Sequence, residues 1–172
     1  MILKSYEINK INQNINYLIL FYGKNEGLKN EALDVLIKDK SSISSYDEKE
    51  ILDNENSFIE NILSKSLFEQ QKFIVVKRAS DKILKLIEIL NSKNIEEITI
   101  ILNSDSLEKK SQLRSFFEKD KKLVCVPFYP DNDQTLSKLA YNFLRDKKIS
   151  ISSSNINLIV NKCSGDREAL IN

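Results

Sequence analysis

Apolar and polar residues alternate along most of the chain in a way that predicts buried strands separated by amphipathic helices. Nearly continuous apolar runs occur at residues 17–22, 72–77, 98–102 and 123–126, and such runs are typical of strands that are covered on both faces. A shorter strand is predicted near residues 43–46, inside a polar stretch. This alternation predicts an α/β fold: a parallel sheet with helices on both faces, joined by right-handed crossovers.

The helices between the strands are predicted from capping signals as well as from periodicity. Asn25 is a favourable N-cap for the first helix. The segments 57–60 (SFIE) and 105–108 (DSLE) have the spacing of a capping box, and the second precedes a basic helix predicted at about 107–119. The predicted apolar stripes are Leu28, Ala32, Val35 and Leu36; Phe58, Ile59, Ile62 and Leu63; and Ile83, Leu84, Ile87 and Leu90.

The pattern changes after Pro127 and Pro130, where only helical periodicity follows. We therefore predict an α/β domain over residues 1–130 and the start of a small helical domain over residues 131–172. The last predicted helix begins near Gly165 and reaches the end of the chain without a C-cap signal. We expect the sequence to be a fragment of a longer protein.

Composition excludes several classes of function. The 172 residues include 26 Lys and Arg against 25 Asp and Glu, and the net charge of +1 creates no overall field toward nucleic acid or a membrane. Histidine is absent, which removes the usual general base and the commonest zinc ligand. Cys125 and Cys163 lack Cys-x-x-Cys spacing, so we expect reduced structural thiols. No catalytic residue, cofactor or metal site is predicted.

The sequence also bears on the membrane and on secretion. No apolar run reaches the roughly 20 residues of a spanning helix. The N-terminal stretch MILKSYEINK has neither an uninterrupted apolar core nor a small-residue cleavage site. We therefore expect a cytoplasmic protein without a membrane partner.

The turn after the first strand has the shape of a phosphate loop but lacks its chemistry. Residues 17–27, YLILFYGKNEG, lead from a buried strand to a helix start, which is where α/β folds hold phosphate. A working loop has G-x-x-x-x-G-K-[ST], in which Lys meets the phosphates and a hydroxyl holds Mg²⁺. Here Gly23 and Gly27 are separated by three residues, and Lys24 comes too early. Because Leu28-Lys29 follows where Lys and Ser/Thr should stand, we predict a degenerate loop that does not bind nucleotide.

A second candidate site is the apolar pair Leu67-Phe68. Leu67 continues the spacing of Ile59 and Leu63, which favours core packing at a helix end. Phe68 falls one position off that stripe. A Leu-Phe pair at a helix end, flanked by charged and amide side chains, has the form of an anchor for a partner's pocket. Periodicity alone favours the core.

Five stretches of the chain follow the order of motifs in a known family: YLILFYGKNEGLKNEALDVL (17–36), SLFEQQKFIVVKRA (66–79), ITIILNSDSLEKKSQLRSFFEK (98–119), VCVPFYP (124–130) and residues 135–170. In this order they resemble the delta subunit of the bacterial DNA polymerase III clamp loader. The resemblance implies an AAA+-like domain that has lost its nucleotide site, then a helical lid-like domain. A C-terminal collar domain, through which the family assembles with the other loader subunits, is missing from this chain.

The resemblance also implies a function and its residues. Such a subunit binds the sliding clamp (the beta subunit) and opens its ring for loading onto primed DNA, while other loader subunits hydrolyse ATP. It is a non-catalytic part of the polymerase holoenzyme, a nucleotidyltransferase complex. The clamp-binding Leu-Phe pair of the family matches Leu67 and Phe68, with Ser66 beside them. Lys65 stands where an apolar residue is expected, which weakens or alters the contact.

Two other interpretations stay open from the sequence. An active ATPase of the AAA+/P-loop type would have to use an irregular phosphate loop, since the Lys and Ser/Thr pair is missing. A receiver-like regulatory domain would need an acidic cluster at its strand ends, which neither Phe21-Tyr22 nor Lys77-Arg78 supplies.

Overall fold

A computed structural model describes residues 1–13, 15–39, 43–63, 72–93, 95 and 98–171. The strands in these ranges are β1 (Leu18–Tyr22), β2 (Ile43–Asp47), β3 (Lys72–Lys77), β4 (Ile98–Ser104) and β5 (Val124–Pro127). They form one sheet in the order β2-β3-β4-β1-β5, and every neighbouring pair is parallel. This confirms the predicted α/β fold with a parallel sheet.

Helices cover both faces of the sheet. In β1, Leu18, Leu20 and Tyr22 join the apolar cluster of one face, and Ile19 and Phe21 join that of the other. The helices are α1 (Glu26–Leu36), α2 (Glu48–Asp53), α3 (Glu55–Leu63), α4 (Leu84–Ser92), α5 (Gln112–Lys119), α6 (Asp133–Asp146), α7 (Ser153–Cys163) and α8 (Arg167–Ile171). Helices α2 to α5 pack on the first face, and α1 packs on the second together with an N-terminal 3₁₀ helix.

Two predicted helix starts are wrong. α3 begins before Ser57, which therefore lies inside the helix. α5 begins well after residue 107, and its N-cap is Ser111. The backbone carbonyl of Asp105 instead accepts a hydrogen bond from the N–H of Gly23. A Ser or Asp three residues before a Glu is compatible with a cap, a helix interior or a loop, so tertiary contacts decide which forms.

Hydrophobic periodicity does not predict two short elements of the structure. These are the 3₁₀ helix Ser5–Lys10 and α2 (Glu48–Asp53), in which Ile8 and Ile51 are the buried apolar residues. A single apolar anchor gives no detectable stripe. The stripe of α1 is also narrower than predicted, because Val35 is 50% exposed.

The helices α6, α7 and α8 pack on one another and are called the helical segment below. Their buried cluster consists of Leu136, Ala140, Ile156 and Val160. In the described part of the chain, this cluster contains no residue of the sheet or of the helices that cover it. The helical segment therefore has its own small apolar core.

Both cysteines are free thiols, as predicted. Burial raises the pKa of Cys125 to about 12, so its thiol stays protonated and unreactive at neutral pH. Within the described ranges, no helix has the length and apolar character needed to cross a membrane.

Replacing Phe128 with Ala is expected to lower the free energy of unfolding by about 3–5 kcal/mol, because it leaves a large cavity. Phe128 is fully buried, and its ring centroid lies 4.8 Å from that of Phe21. The neighbouring Tyr129 is 69% exposed, so Tyr129→Ala is a matched control that should change stability by less than about 0.5 kcal/mol. Chemical denaturation of both variants measures the difference, and equal stabilities would contradict the packing described.

Candidate functional site

The strand–helix turn at residues 23–27 is built around a close approach of two backbone segments. Gly23 has a φ of 128°, a conformation that glycine adopts readily and other residues rarely adopt. A Cβ atom there would overlap the carbonyl oxygen of Phe128 and lie 2.7 Å from its carbonyl carbon. The Phe128 N–H donates to the Tyr22 carbonyl at 2.7 Å and holds β5 against the turn. Packing and conformation both require glycine here.

Several backbone donors of this turn bond to acceptors within the protein. The Gly23 N–H donates to the Asp105 carbonyl at 3.2 Å, and the Asn25 N–H donates to the Phe128 carbonyl at 3.4 Å. The Asn25 side chain accepts a hydrogen bond from the Leu28 N–H at 3.1 Å. The predicted N-cap is therefore confirmed, and the turn is closed by protein acceptors.

Lys29 is a fully buried cation in α1. Its Nζ donates to Asn103 Oδ1 and to the Ser104 carbonyl, both at 2.8 Å, at the end of β4. It also donates to Glu26 Oε1 at 2.6 Å. An ammonium group has three donors, and all three are engaged. Lys29 therefore links α1 to the carboxyl-terminal end of β4, and none of its three N–H donors is left for a ligand.

Sequence reasoning that starts from the two glycines misses Lys29. Counted from Gly23, Lys29 stands at the position of the Lys in G-x-x-x-x-G-K-[ST]. Leu28 then replaces the second glycine, and Asn30 replaces the hydroxyl residue. Lys24, the lysine considered from the sequence, is exposed. The turn thus keeps a lysine at the phosphate-loop spacing, but the side chain of this lysine donates to protein acceptors.

Arg167 of α8 joins two carboxylates next to this turn. Its Nε and Nη2 donate to the Glu31 carboxylate at 2.5 and 3.0 Å, and its Nη1 donates to Asp131 at 3.1 Å. The side chains of Arg167 and Asp131 are only 13% and 6% exposed. Asn25 Nδ2 also donates to Asp131 at 2.8 Å. These four residues form one group, called the Arg167 network below, that connects the turn, the linker before α6, α1 and α8.

Helix α8 also covers the first turns of α1 around Gly27. A Cβ atom at Gly27 would lie 3.1 Å from Glu168 Cγ and 3.5 Å from Arg167 Cβ. Asn30 Nδ2 donates to Glu168 Oε1 at 2.9 Å. Gly27 therefore permits the close contact between the two helices. No local sequence signal could have revealed this contact between α1 and α8, because Arg167 is 136 residues from Glu31.

The Arg167 network is charged at neutral pH. Burial raises the pKa of Asp131, but hydrogen bonds from Thr135 and Asn25 and the charge of Arg167 outweigh it, so this pKa lies below its ordinary value. Burial lowers the pKa of Arg167, but the contact with Glu31 outweighs it and the pKa is raised. Asp131 therefore contributes stability above its ordinary pKa, and this contribution is lost as the pH falls through the lowered value.

A cavity of about 880 Å³ lies beside the turn, at the carboxyl ends of β3 and β4. A P-loop ATPase needs a strand-end Asp for Mg²⁺ in addition to its loop. Here β3 ends at Lys77, and the next residue, Arg78, pairs with Asp47. In the part of the chain that the structure describes, no three His, Cys, Asp or Glu side chains are grouped so that they could hold a metal ion. The cavity has charged walls of both signs but no assembled phosphate or metal site.

The predicted clamp-binding residues Lys65, Ser66, Leu67 and Phe68 lie outside the described residues. The described chain stops at the end of α3 and resumes at Lys72, which pairs with Ile98 at the amino-terminal edge of the sheet. This edge is opposite to the one that carries the turn at residues 23–27.

The fold is similar to several solved structures. The Bacillus subtilis DNA clamp loader delta protein (YqeN) matches with a TM-score of 0.67 and 13% identity, over 96% of this chain and 53% of that one. The Thermotoga maritima RuvB Holliday junction branch migration motor matches with a TM-score of 0.56 and 11% identity, over 96% and 55%. A Walker-type ATPase of Pyrococcus abyssi matches with a TM-score of 0.56 and 13% identity, over 97% and 64%. No protein-family model and no curated protein matches the sequence.

These similarities establish the fold. The chain shares its architecture with the clamp loader delta protein, the RuvB motor and the Walker-type ATPase, which confirms the resemblance seen in the sequence at the level of structure. At identities of 11–13% the neighbours do not transfer a function by themselves. The chain spans about half the length of the clamp loader delta protein.

Replacing Gly23 with Ala is expected to lower the free energy of unfolding by at least about 3 kcal/mol, because a clash with Phe128 adds to the backbone strain. Gly165 is the matched control. Its φ is 87°, but a Cβ there would meet nothing within 4 Å, so Gly165→Ala should cost only about 1–2 kcal/mol of strain. Thermal or urea unfolding measures the loss of unfolding free energy in each of the two variants. Equal losses would show that the close approach at Gly23 does not constrain the fold.

Proposed function

We propose that the chain is the N-terminal part of a clamp loader delta subunit, which binds a sliding clamp and favours its open ring. The observation that carries this proposal is the fold match to a clamp loader delta protein over 96% of the chain. It is supported by the Leu67-Phe68 pair between α3 and β3, where the resemblance places the clamp contact. In this proposal residues 1–130 are the AAA+-like domain and residues 131–172 begin the lid-like domain.

The proposed anchor follows a helix that is itself held firmly by the core. Phe58 and Ile62 of α3 are 7% and 4% exposed, and the Phe58 ring contacts that of Tyr46 edge-on at 5.4 Å. Ile59, whose spacing Leu67 continues, is only half-buried. The helix that precedes the proposed anchor in the sequence is therefore packed on the sheet, which supports the proposal.

The mechanism we propose is differential binding. A partner shifts an equilibrium between a closed and an open ring only by its difference in affinity for the two states. Leu67 and Phe68 bound in a clamp pocket would favour the ring whose nearby interface is distorted. ATP hydrolysis belongs to other loader subunits in this proposal, since the N–H groups of Gly23 and Asn25 and the ammonium of Lys29 donate to acceptors within the chain.

The setting of this activity follows from the same proposal. The subunit works in the cytoplasm as a non-catalytic component of the DNA polymerase III holoenzyme during replication. Its partners are the sliding clamp and the other loader subunits, which it meets through the collar domain that is outside this sequence, and primed DNA enters the assembled complex. It requires no cofactor of its own.

Replacing both Leu67 and Phe68 with Ala is expected to weaken binding to the cognate sliding clamp by at least about 100-fold, because each side chain contributes roughly 1.5–3 kcal/mol of apolar burial. Surface plasmon resonance with immobilised clamp measures the loss. Tyr141 and Leu158 supply a matched control, since they are an aromatic and a leucine that are 52% and 62% exposed on α6 and α7. The double variant Tyr141→Ala with Leu158→Ala should bind like the unchanged protein.

Circular dichroism checks that both double variants are folded. A folded Leu67→Ala, Phe68→Ala variant that binds the clamp with unchanged affinity would overturn the proposed anchor. Failure of the unchanged protein to bind the clamp would overturn the proposed function as a whole.

The second candidate function is a nucleotide-dependent ATPase with an irregular phosphate loop. One observation favours it: Lys29 has the spacing of the phosphate-loop lysine, on a fold shared with Walker-type ATPases. Isothermal calorimetry with Mg-ATP separates the two functions. We expect no binding at micromolar nucleotide, because a ligand would have to displace three internal hydrogen bonds of Lys29. Micromolar affinity would favour the ATPase.

A further inference from the structure

The contact between the helical segment and the rest of the protein is polar. The three buried apolar clusters of the described residues lie on the two faces of the sheet and inside the helical segment, and none of them spans both parts. Leu170 ties α8 to the core of α6 and α7. The polar contacts that reach across to α1 are the Arg167–Glu31 ion pair and the Asn30–Glu168 hydrogen bond, and Gly27 lets the two helices approach closely. Apolar burial therefore does not explain how the helical segment is oriented.

We propose that the Arg167 network is a ligand-independent lock that holds the helical segment closed over the turn at residues 23–27. Arg167 is its centre, because one planar guanidinium binds carboxylates on both sides of the contact. Glu31 belongs to α1, and Asp131 belongs to the linker that leads into α6. Asn25 connects the turn to the lock, because its side chain donates to Asp131.

The geometry makes the lock specific. Arg167 binds Glu31 with two parallel N–H···O bonds, which fix orientation as well as distance. The guanidinium is 13% exposed and Asp131 is 6% exposed. Removing one partner while the segment stays closed would leave a poorly hydrated charge, which proteins avoid. The closed arrangement is therefore favoured over a set of loosely related orientations.

The charges also show that the lock replaces an interaction between the arginine and an anionic ligand. A helix N-terminus carries a partial positive charge and attracts anions, and arginine is the side chain best suited to bind phosphate. In this protein the arginine faces two carboxylates, so Arg167, Glu31 and Asp131 together carry a formal charge of −1. Internal carboxylates thus occupy the arginine that an anionic ligand would otherwise use, and the arrangement closes without one.

Electron–electron distance measurement between two spin labels tests the lock in the full chain. Lys85 on α4 and Leu158 on α7 are exposed positions for Cys substitution, and Cys163→Ser removes the accessible native thiol, since Cys125 is fully buried. The parent should give one narrow distance peak without any ligand. Arg167→Ala should lose this peak and give a broad distribution. The pair Glu31→Gln with Asp131→Asn should do the same from the other side of the contact.

Arg145→Ala is the matched control, because Arg145 pairs with its neighbour Asp146 at an exposed place within one element. It should keep the narrow peak. If Arg167→Ala does not fold, Arg167→Lys tests the same contact, since it keeps the charge but loses the two-bond geometry and should broaden the peak partly. A narrow, unshifted peak in folded Arg167 and Glu31/Asp131 variants, or a broad distribution in the parent, would overturn the lock.

Discussion

The close approach of Gly23 to Phe128 determines the arrangement of the whole carboxyl-terminal edge of the sheet. Because Gly23 has no Cβ, the end of β5 can lie directly against the turn that follows β1. The Phe128 carbonyl then accepts from Asn25, and the chain leaves the sheet at this point. Asp131, three residues later, is thereby placed beside Asn25 and within reach of Arg167. The absence of a Cβ at Gly23 thus allows the contact that positions the turn, the linker and the helical segment relative to one another.

The same constraint decides the chemistry of the turn. A phosphate loop works because its N–H groups and its lysine lack protein partners and can converge on a ligand. Here the carbonyls of Asp105 and Phe128 reach the turn first, and Lys29 is bound at the end of β4. The N–H groups of Gly23 and Asn25 and the Lys29 ammonium thus have protein acceptors, and these bonds stabilise the fold.

The sequence predicts the parts of this fold that depend on local patterns. The strands β1, β3, β4 and β5 are found because buried parallel strands are nearly continuous apolar runs, and Asn25 is found because its cap acts within three residues. The helix starts assigned to Ser57 and Asp105 are wrong, since a capping spacing does not reveal competing tertiary contacts. The role of Arg167 has no local signal at all, because it depends on carboxylates that are distant in the chain. The Leu67-Phe68 anchor is still a prediction from resemblance.

Continuous strand pairing across the sheet bears on the proposed lock. Pairing between β3 and β4 runs without a break from Lys72 and Ile98 at the amino-terminal edge to Lys77 and Asn103 at the carboxyl-terminal edge. Under the proposed function, a clamp contact made by Leu67 and Phe68 is useful only if the rest of the subunit holds it at a constant angle. A lid that followed a nucleotide would change that angle in every cycle, whereas the internal carboxylates of the proposed lock would keep it fixed. The turn and the Arg167 network would then both serve one requirement for constant geometry.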